Sequence, residues 1–239
     1  MYKPLVYIFT AITCCGFMQW IFYTSPLKDY VPTPPHVDNA TFGNVDEIPT
    51  HHMFLNVTVD FDTRTIYGSN TLDLKTVQPT DKLVLDIWDM DIYKVELVKP
   101  ASAHWATEQQ KEVVPIGELD FKVITINEVI GQTLAIQLPQ LVLADTWVSV
   151  RVIYSTQPTS MALSWMTPEQ TSGKKLPYLF SQCESINCRS VAPMQDTPST
   201  KITYGARVVA KNDFVVKMSA NETDSGALNS THNQAWFSC

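Results

Sequence analysis

Apolar and polar residues alternate along most of the chain from about residue 50 onward. In the first such stretch, polar residues separate Leu55, Val57, Val59 and Phe61, which is the period of two expected for a strand with one buried face. The same period recurs, between short polar turns, in residues 72–74, 83–87, 92–98, 123–126, 134–138, 148–154, 202–208 and 214–218. No long segment after residue 25 has the period of a helix. The pattern therefore predicts an all-β fold, either a sandwich or a curved sheet.

The N-terminus follows a different pattern. Residues Leu5 to Thr24 read LVYIFTAITCCGFMQWIFYT and carry no charge, and a helix of this length spans roughly 30 Å, the thickness of a bilayer's hydrocarbon core. Because no convincing cleavage site precedes the end of this run, an uncleaved signal anchor is favoured over a cleaved signal peptide. We therefore predict a hydrophobic membrane helix over residues 1–25, a Pro-rich linker over residues 26–50 and a β domain over residues 51–239.

Glycosylation acceptors bear on the side of the membrane where the body would lie. N-x-[ST] sites occur at Asn39, Asn56, Asn221 and Asn229, a modest enrichment over chance. This enrichment agrees with a lumenal or extracellular body. We predict a single-pass membrane glycoprotein on this basis, with a secreted chain and a cytoplasmic chain kept as alternatives.

Composition and charge exclude several classes of protein. The 239 residues suffice for one large domain or two small ones, and 45% of them are apolar, too many for a disordered chain. The net charge is -7 and the chain has no run rich in Lys or Arg, so it carries little positive charge with which to neutralise phosphates. Nucleic acid is therefore not expected as a partner.

Residue types that carry common catalytic chemistry are present but not arranged for it. A zinc peptidase of the commonest kind needs H-E-x-x-H, and none of the five histidines belongs to such a motif. A nucleophile elbow and a P-loop are also missing from the sequence. Cys183 and Cys188 lack C-x-x-C spacing, and the three cysteines of the body imply no disulfide framework, so buried thiols are predicted. We predict no catalytic residue and no metal ligand.

One stretch carries a specific signature. Residues 162–174 read ALSWMTPEQTSGK, residues 177–184 read PYLFSQCE, and CR at 188–189 is followed by QDTPS at 195–199. These words closely resemble the N-terminal domain of the M1-family zinc aminopeptidases, and within them the leukotriene A4 hydrolase and aminopeptidase B branch. The resemblance covers roughly residues 56–220, nearly all of the predicted β domain.

The resemblance implies a fold and a missing part. It implies a saddle-shaped, mainly antiparallel β domain that packs on a separate thermolysin-like catalytic domain, where H-E-x-x-H and a distal Glu hold the zinc. The β domain is expected to be incomplete at Cys239, where the sequence stops. We therefore expect no cofactor in this chain, zinc in the full-length family, and two partners: the missing catalytic domain, and a peptide substrate bound through the family's cleft.

The resemblance also implies two substrate-binding residues. In the family, a Gln-x-Glu or Gln-x-Gln on the strand after the P-E-Q-T-x-G-K loop reaches into the cleft and helps to hold the free α-amine of a peptide. Those positions are Gln182 and Glu184 here. The leukotriene hydrolases carry Gln where Glu184 stands, so this departure favours amine binding over lipid-epoxide chemistry, because a carboxylate suits an ammonium group. The alternative is that both residues form the polar face of a strand.

Arg189 and Asp196 are interpreted as forming a structural ion pair or a turn, and not as catalytic residues. The favoured hypothesis is the N-terminal β domain of a zinc metallo-aminopeptidase, inactive without its zinc domain; whether the chain should be called an enzyme is left open. The alternative is a membrane-tethered, non-catalytic binding or regulatory protein derived from that domain.

Overall fold

The computed structural model describes residues 27–36, 38–99 and 113–239. The chain divides between Val31 and Pro32 into two units. The first is described only over its last residues, where the Tyr30 N–H donates to the Leu27 carbonyl at 3.3 Å. The second, Pro32–Cys239, contains all the strands of the described residues.

The described residues contain thirteen strands and two short 3-10 helices, the latter at Pro168–Gln170 and Cys188–Ser190. In chain order the strands are β1 (Thr50–Asp60), β2 (Thr65–Lys75), β3 (Thr80–Ile87), β4 (Met90–Val98), β5 (Pro115–Glu118), β6 (Phe121–Asn127), β7 (Gly131–Val142), β8 (Trp147–Thr156), β9 (Leu163–Met166), β10 (Tyr178–Ser181), β11 (Thr203–Lys211), β12 (Asn221–Ala227) and β13 (His232–Ser238). The prediction of an all-β fold is confirmed. The helix predicted over residues 1–25 lies outside the described residues.

The strands form three sheets. An eight-stranded sheet has the order β12-β13-β11-β1-β2-β8-β4-β5, a three-stranded sheet has the order β3-β7-β6, and β9 pairs with β10 as a separate hairpin. All neighbours are antiparallel except β1 and β11, which are parallel. A parallel pair needs a long connection between its strands. Here that connection is most of the domain.

The first core cluster joins the three-stranded sheet to the middle of the large sheet. In β8, the apolar residues Val148, Val150 and Val152 alternate with polar ones, so a single face of the strand is apolar. They pack with buried leucines and isoleucines of β2, β3 and β7: Leu72, Leu74, Leu83, Leu85, Ile87, Leu134, Ile136 and Leu138. Burying each such side chain contributes roughly 1.5–3 kcal/mol. This cluster therefore holds the three-stranded sheet against the large sheet.

A second core cluster lies on the same face of the large sheet, towards β13. Its members from the sheet are Met53, Leu55, Val57, Ile66, Tyr154, Ala206, Val208, Ala235 and Phe237. Leu163 of the hairpin and Met194 of the segment after it pack into this cluster. The second cluster therefore fixes the hairpin and the chain that follows it onto the large sheet.

Polar residues on the opposite face of the large sheet line up across neighbouring strands. His52 of β1 pairs with Asp73 of β2, and Asp73 pairs with Ser149 of β8. The exposed fractions of His52, Asp73 and Ser149 are 8%, 5% and 2%. The Ser149 hydroxyl donates to the Asp73 carboxylate, and the His52 ring Nδ1 lies 2.8 Å from the Thr203 hydroxyl oxygen. We call His52, Asp73 and Ser149 the polar row.

The prediction of a strand over residues 214–218 is wrong. This segment pairs with no strand among the described residues, although its alternating apolar residues Val216 and Met218 pack on the second cluster. Phe214 stacks on Phe61 of the β1–β2 turn with ring centroids 4.1 Å apart. Alternation reports burial on one side, which side-chain packing alone satisfies here without a ladder of hydrogen bonds.

The tail from Asn221 forms two strands, β12 and β13, and no alternation of apolar residues predicts the first of them. All residues of β12, from Asn221 to Ala227, are exposed. This strand lies at the edge of the large sheet and buries none of its side chains, so its sequence has no apolar periodicity. Only pairing with β13 defines it.

The predicted membrane localisation requires a correction. No helix within residues 27–36, 38–99 and 113–239 has the length and apolar character to cross a membrane. The segment predicted to do so, Leu5–Thr24, lies outside these residues. The described structure therefore does not support a single-pass membrane protein, and that prediction is wrong.

Candidate functional site

The signature segment folds as the β9–β10 hairpin. Tyr178 pairs with Met166, and Ser181 pairs with Leu163 at the other end. Leu179, between two exposed residues of β10, turns inward and packs on the second core cluster. The hairpin is thus attached to the domain by one face and presents the other.

Motif residues of the connecting loop hold the loop itself. The Thr167 N–H donates to the Gln170 side-chain oxygen at 2.8 Å. The Thr171 hydroxyl lies 2.8 Å from the Pro168 carbonyl oxygen and 3.0 Å from that of Leu176. The P-E-Q-T motif therefore forms a compact turn around a 3-10 helix, and its Gln and Thr side chains stabilise that turn.

Thr171→Val is expected to loosen this loop. The substitution keeps the shape of the side chain but removes a hydroxyl worth about 1 kcal/mol, which corresponds to roughly fivefold more frequent local opening. Trypsin should then cleave faster after Lys174 or Lys175, both exposed in the loop, as followed by mass spectrometry. Thr223→Val on exposed β12 is the matched control, and equal cleavage rates for both variants would contradict the structural role of Thr171.

The predicted substrate-binding residues lie just beyond the hairpin. β10 ends at Ser181, so Gln182 and Glu184 lie on the loop that follows it. The family resemblance had implied that they lie on the strand. The Gln182 N–H donates to the Ala162 carbonyl at 2.8 Å, which continues the hairpin by one bond. Both side chains are exposed, and neither has a hydrogen-bond or ion-pair partner among the described residues. Their role in binding stays a prediction.

Cys183 and Cys188 flank this loop and form a disulfide. The predicted pair of buried thiols is therefore wrong, and both residues are only half-buried. The spacing gave no disulfide signal because the sequence does not show that the chain reverses within five residues. Cys239, the remaining cysteine of the body, is exposed and free.

The residue after Cys188 anchors the loop to the interior. Arg189 is fully buried and donates to Asp196 Oδ2 from its side-chain Nε at 3.1 Å. Its terminal nitrogens donate to the Ile130 carbonyl at 2.9 Å and the Ala40 carbonyl at 2.7 Å, and Nη1 lies 3.8 Å from Asp86 Oδ1. The interpretation of Arg189 and Asp196 as a structural ion pair is confirmed.

Asp86 is the second carboxylate at this anchor, and its role was not predicted from the sequence. Its carboxylate accepts bonds from the Thr41 hydroxyl and from the N–H groups of Phe42 and Asp196, the latter two both at 2.9 Å. Burial raises the pKa of Asp86, while the Arg189 charge acts in the opposite direction. A carboxylate inside the apolar run of residues 83–87 was the available signal, because a buried charge needs a partner.

Part of the predicted linker therefore belongs to this anchor. Thr41 and Ile48 are completely buried, and Val45 is 7% exposed. The segment reaches the site through the Ala40 carbonyl and the Thr41 hydroxyl. The boundaries of the three predicted parts remain predictions.

The outward face of the hairpin is aromatic. Tyr178 and Phe180 are 55% and 43% exposed, and their rings stack with centroids 6.1 Å apart. Exposed aromatic pairs of this kind are typical of surfaces that another protein surface covers. This face adjoins the loop that carries Gln182 and Glu184.

The described residues do not fit a zinc ion. No group of three or more His, Cys, Asp or Glu within them could hold a metal.

The predicted glycosylation sites are at the surface. Asn39, Asn56, Asn221 and Asn229 are all exposed. The Asn56 side-chain oxygen accepts a bond from Arg207 at 3.2 Å, and that of Asn229 accepts bonds within its own turn. Their modification stays a prediction.

Comparison with known proteins extends these observations. A family model described as the peptidase M1 N-terminal domain matches residues 48–238. The chain is 35% identical to a leukotriene A-4 hydrolase from Xenopus laevis over 184 residues, which are 77% of this chain and 27% of the relative. It is 33% identical to a leucine aminopeptidase 2 from Yarrowia lipolytica over 193 residues, 79% of this chain and 27% of the relative. The chain thus spans little more than a quarter of these relatives.

Solved structures share the fold. A yeast LTA4 hydrolase in complex with bestatin matches with a TM-score of 0.67 and 27% identity, over 93% of this chain and 30% of that one. An M1 zinc metallopeptidase from Deinococcus radiodurans, bound to a Tyr-Ser-Ala substrate, matches with a TM-score of 0.58 and 15% identity, over 80% of this chain and 39% of that one. With the family model covering most of the chain and the hairpin carrying the signature, the chain belongs to the peptidase M1 family, and residues 48–238 are an M1 N-terminal domain.

Proposed function

We propose that this chain supplies the N-terminal β domain of a zinc metallo-aminopeptidase, which removes the first residue of peptides. The observation that carries the proposal is the setting of Glu184, an exposed carboxylate without a partner among the described residues, on a loop held at both ends. One end is tied to Ala162 and the other to the buried Arg189. A charge presented on a fixed backbone suits recognition of an oppositely charged ligand.

Glu184 is proposed to accept hydrogen bonds from the α-ammonium group of a peptide. A charge-assisted bond is roughly twice as strong as a neutral one, and it selects substrates with a free amine. Gln182 offers an amide donor and a carbonyl acceptor, and so can orient the first residue of the peptide. Neither residue touches metal in this proposal. They bind and position the substrate, and the cleavage chemistry belongs to a catalytic domain.

The exposed aromatic face of the hairpin is proposed to contact that catalytic domain. Tyr178 and Phe180 lie on the same element that leads to Gln182, so a domain packed against them would bring its own residues close to the loop. The relatives are three to four times as long as the matched segment, which leaves room for such a domain. A saddle-shaped domain bordering the cleft is the arrangement implied by the family resemblance.

Glu184→Gln is the variant that tests the proposal, in a protein that joins this chain to an M1 catalytic domain. Loss of the charge should lower kcat/KM for free-amine peptides by 10- to 150-fold, because removing one partner of a charged hydrogen bond costs about 1.5–3 kcal/mol. Substrates blocked at the amine, or inhibitors without one, should be bound as before.

The matched control is Glu169→Gln, an exposed glutamate in the loop of the same hairpin. It should leave kcat/KM within about twofold, since it lies outside the proposed amine contact. Equal losses for the two variants, or an unchanged kcat/KM for Glu184→Gln, would contradict the assignment. Efficient turnover of a lipid epoxide with poor turnover of peptides would contradict the choice of substrate class.

The 239 residues alone are expected to show no aminopeptidase activity, because the sequence has no H-E-x-x-H to hold zinc. They should also bind free peptides no more tightly than about millimolar, since one exposed carboxylate gives only a small gain in water. Release of an aminoacyl reporter that a chelator abolishes would contradict the first expectation. Micromolar binding that depends on Glu184 would contradict the second.

A further inference from the structure

The loop that carries Glu184 has few hydrogen bonds of its own. The Asn187 N–H donates to the Cys183 carbonyl at 2.8 Å, and the Asn187 side chain reaches the Glu184 carbonyl at 3.4 Å. The second contact is long for a hydrogen bond. Residues 183–187 therefore have one good hydrogen bond among themselves. The Asn187 carbonyl also accepts bonds from the Ser190 N–H at 3.0 Å and the Ser190 hydroxyl at 2.7 Å, which hold the C-terminal end of the loop.

Its two ends are held much more firmly. Gln182 is bonded to Ala162 of the hairpin, and Cys188 opens the 3-10 helix whose next residue is the buried Arg189. Cys188 itself packs on the second core cluster. A weakly bonded loop thus lies between two fixed points.

The Cys183–Cys188 disulfide closes this loop into a covalent ring, with Glu184 inside it. Cys183 is flanked directly by Gln182 and Glu184, so the sulfur bridge ties down the backbone between the two proposed substrate-binding residues. Fixing a backbone that carries a binding group reduces the entropy lost when the ligand binds. The bridge is accordingly placed to position both side chains.

We propose that the Cys183–Cys188 disulfide is a redox-responsive clamp that positions Glu184 and Gln182 for amine binding. The part that concerns amine binding rests on the function proposed above. Cys183 and Cys188 are positioning residues, because they act through Glu184 and Gln182 and do not touch the substrate. With the bridge closed the loop is ordered; with the bridge open only the Asn187 bonds hold it.

The opening step needs a dithiol reductant. A thiolate of the reductant attacks one sulfur of the bridge, forms a mixed disulfide and releases the other cysteine as a thiolate. The second thiol of the reductant then displaces the remaining cysteine and becomes oxidised to a cyclic disulfide. Two electrons and two protons pass to the protein, which ends with two free thiols. Both cysteines are half-buried and not fully enclosed, so a small dithiol can reach them.

Hydrogen exchange of the full 239-residue chain tests the clamp without any catalytic domain. Peptides covering residues 182–187 should exchange at least tenfold faster after treatment with dithiothreitol than before it. Peptides from β3 and β8 should exchange equally in both states, because Arg189 keeps its partners. Cleavage by a glutamate-specific protease after Glu184 should accelerate in parallel.

Matched variants separate the clamp from general thiol effects. Cys239→Ser removes the exposed free thiol and should respond to dithiothreitol as the unaltered chain does. The double variant Cys183→Ser, Cys188→Ser should exchange fast with and without reductant. Equal exchange of residues 182–187 in the oxidised and reduced chain would overturn the proposal. Alkylation of both cysteines before any reductant is added would also overturn it.

Kinetics in a protein that joins this chain to an M1 catalytic domain test the positioning role. Reduction should raise KM for free-amine peptides at least tenfold with little change in kcat, and should have no further effect on Glu184→Gln. If exchange accelerates and Glu184→Gln weakens binding, but reduction leaves KM unchanged, the positioning role is overturned. If Glu184→Gln itself has no effect while exchange still accelerates, the proposed function has failed and the clamp of the loop stands.

Discussion

A chain carrying Arg189→Met is expected to lose about 3–5 kcal/mol of its free energy of unfolding, the typical cost of removing one partner of a buried ion pair. The loss is large because Asp86 is completely buried and would lose its cation. The carbonyl oxygens of Ala40 and Ile130 would also lose their donors. Since a domain of this kind has only about 5–15 kcal/mol in total, a large part of its stability depends on this residue.

Urea unfolding followed by tryptophan fluorescence measures this loss. Arg64→Met, at an exposed turn position, is the matched control and should change the free energy of unfolding by less than about 0.5 kcal/mol. A loss below about 1 kcal/mol for Arg189→Met would contradict the described anchor.

The anchor also explains why the signature segment has the shape it has. Arg189 ties the chain after the loop to β3 through Asp86 and to the segment before β1 through the Ala40 carbonyl. The hairpin is held separately, by Leu163 and Leu179 on the second core cluster. The loop with Glu184 is therefore suspended between two independent attachments, and a disulfide is the one covalent link across it.

The strands of the main body could be predicted because apolar residues recur at every second position along them. β1 and β8 show this alternation, and β3 shows it at Leu83, Leu85 and Ile87, although the residues between these are buried as well. Their pairing could not be predicted. β1 and β11 pair in parallel although Leu55 and its partner Ala206 lie far apart in the sequence, and nothing local in either strand specifies this neighbour.

The signature segment located the site, but the local structure of the site could not be predicted from it. The motif correctly marked the hairpin and its loop, yet Glu184 proved to lie beyond the end of β10. Periodicity cannot show that pairing stops at Ser181, because this depends on β9 being only four residues long. Asp86 and Thr41 were missed for the same reason, since each meets Arg189 or its partners through the tertiary fold.

The second large effect concerns the polar row, where two titratable groups oppose each other. Burial raises the pKa of Asp73 to about 6, although the bond from Ser149 acts the other way. Unfolded aspartate titrates near 3.9, so from about pH 4 to 6 the folded chain keeps a proton that the unfolded chain has lost. Asp73 therefore contributes to the free energy of unfolding at low pH, and this contribution is lost as the pH rises through this window.

His52 has the opposite linkage. Burial lowers the pKa of His52 to about 4, whereas unfolded histidine titrates near 6.5. Between these values the unfolded chain holds the proton, so stability rises with pH. Since one unit of pKa corresponds to about 1.4 kcal/mol, each group contributes a change of about 3 kcal/mol over its whole pH window, and the two nearly cancel in the wild-type chain.

Single variants should uncover each slope. In the Asp73→Asn variant His52 is the one titrating residue left in the polar row, so the free energy of unfolding should rise by about 2–3 kcal/mol between pH 4.5 and 7. In the His52→Gln variant Asp73 is left, and the free energy of unfolding should fall by a similar amount over the same range. The charged groups Arg151 and Lys75 lie on the same face, and each is paired, with Glu96 and Asp145 respectively, so these pairs add little net charge. The double variant should be nearly as flat as the wild type.

Urea unfolding at half-unit steps of pH distinguishes two neutral buried groups from a charged pair of His52 and Asp73. Asp224→Asn, an exposed carboxylate on β12, is the control and should follow the wild-type curve. If His52 and Asp73 instead formed a charged pair, each single variant would strip the other of its partner, and both would lose stability near pH 5. Slopes of opposite sign therefore identify two groups that burial keeps neutral, whereas parallel losses would identify an ion pair and contradict the described pKa values.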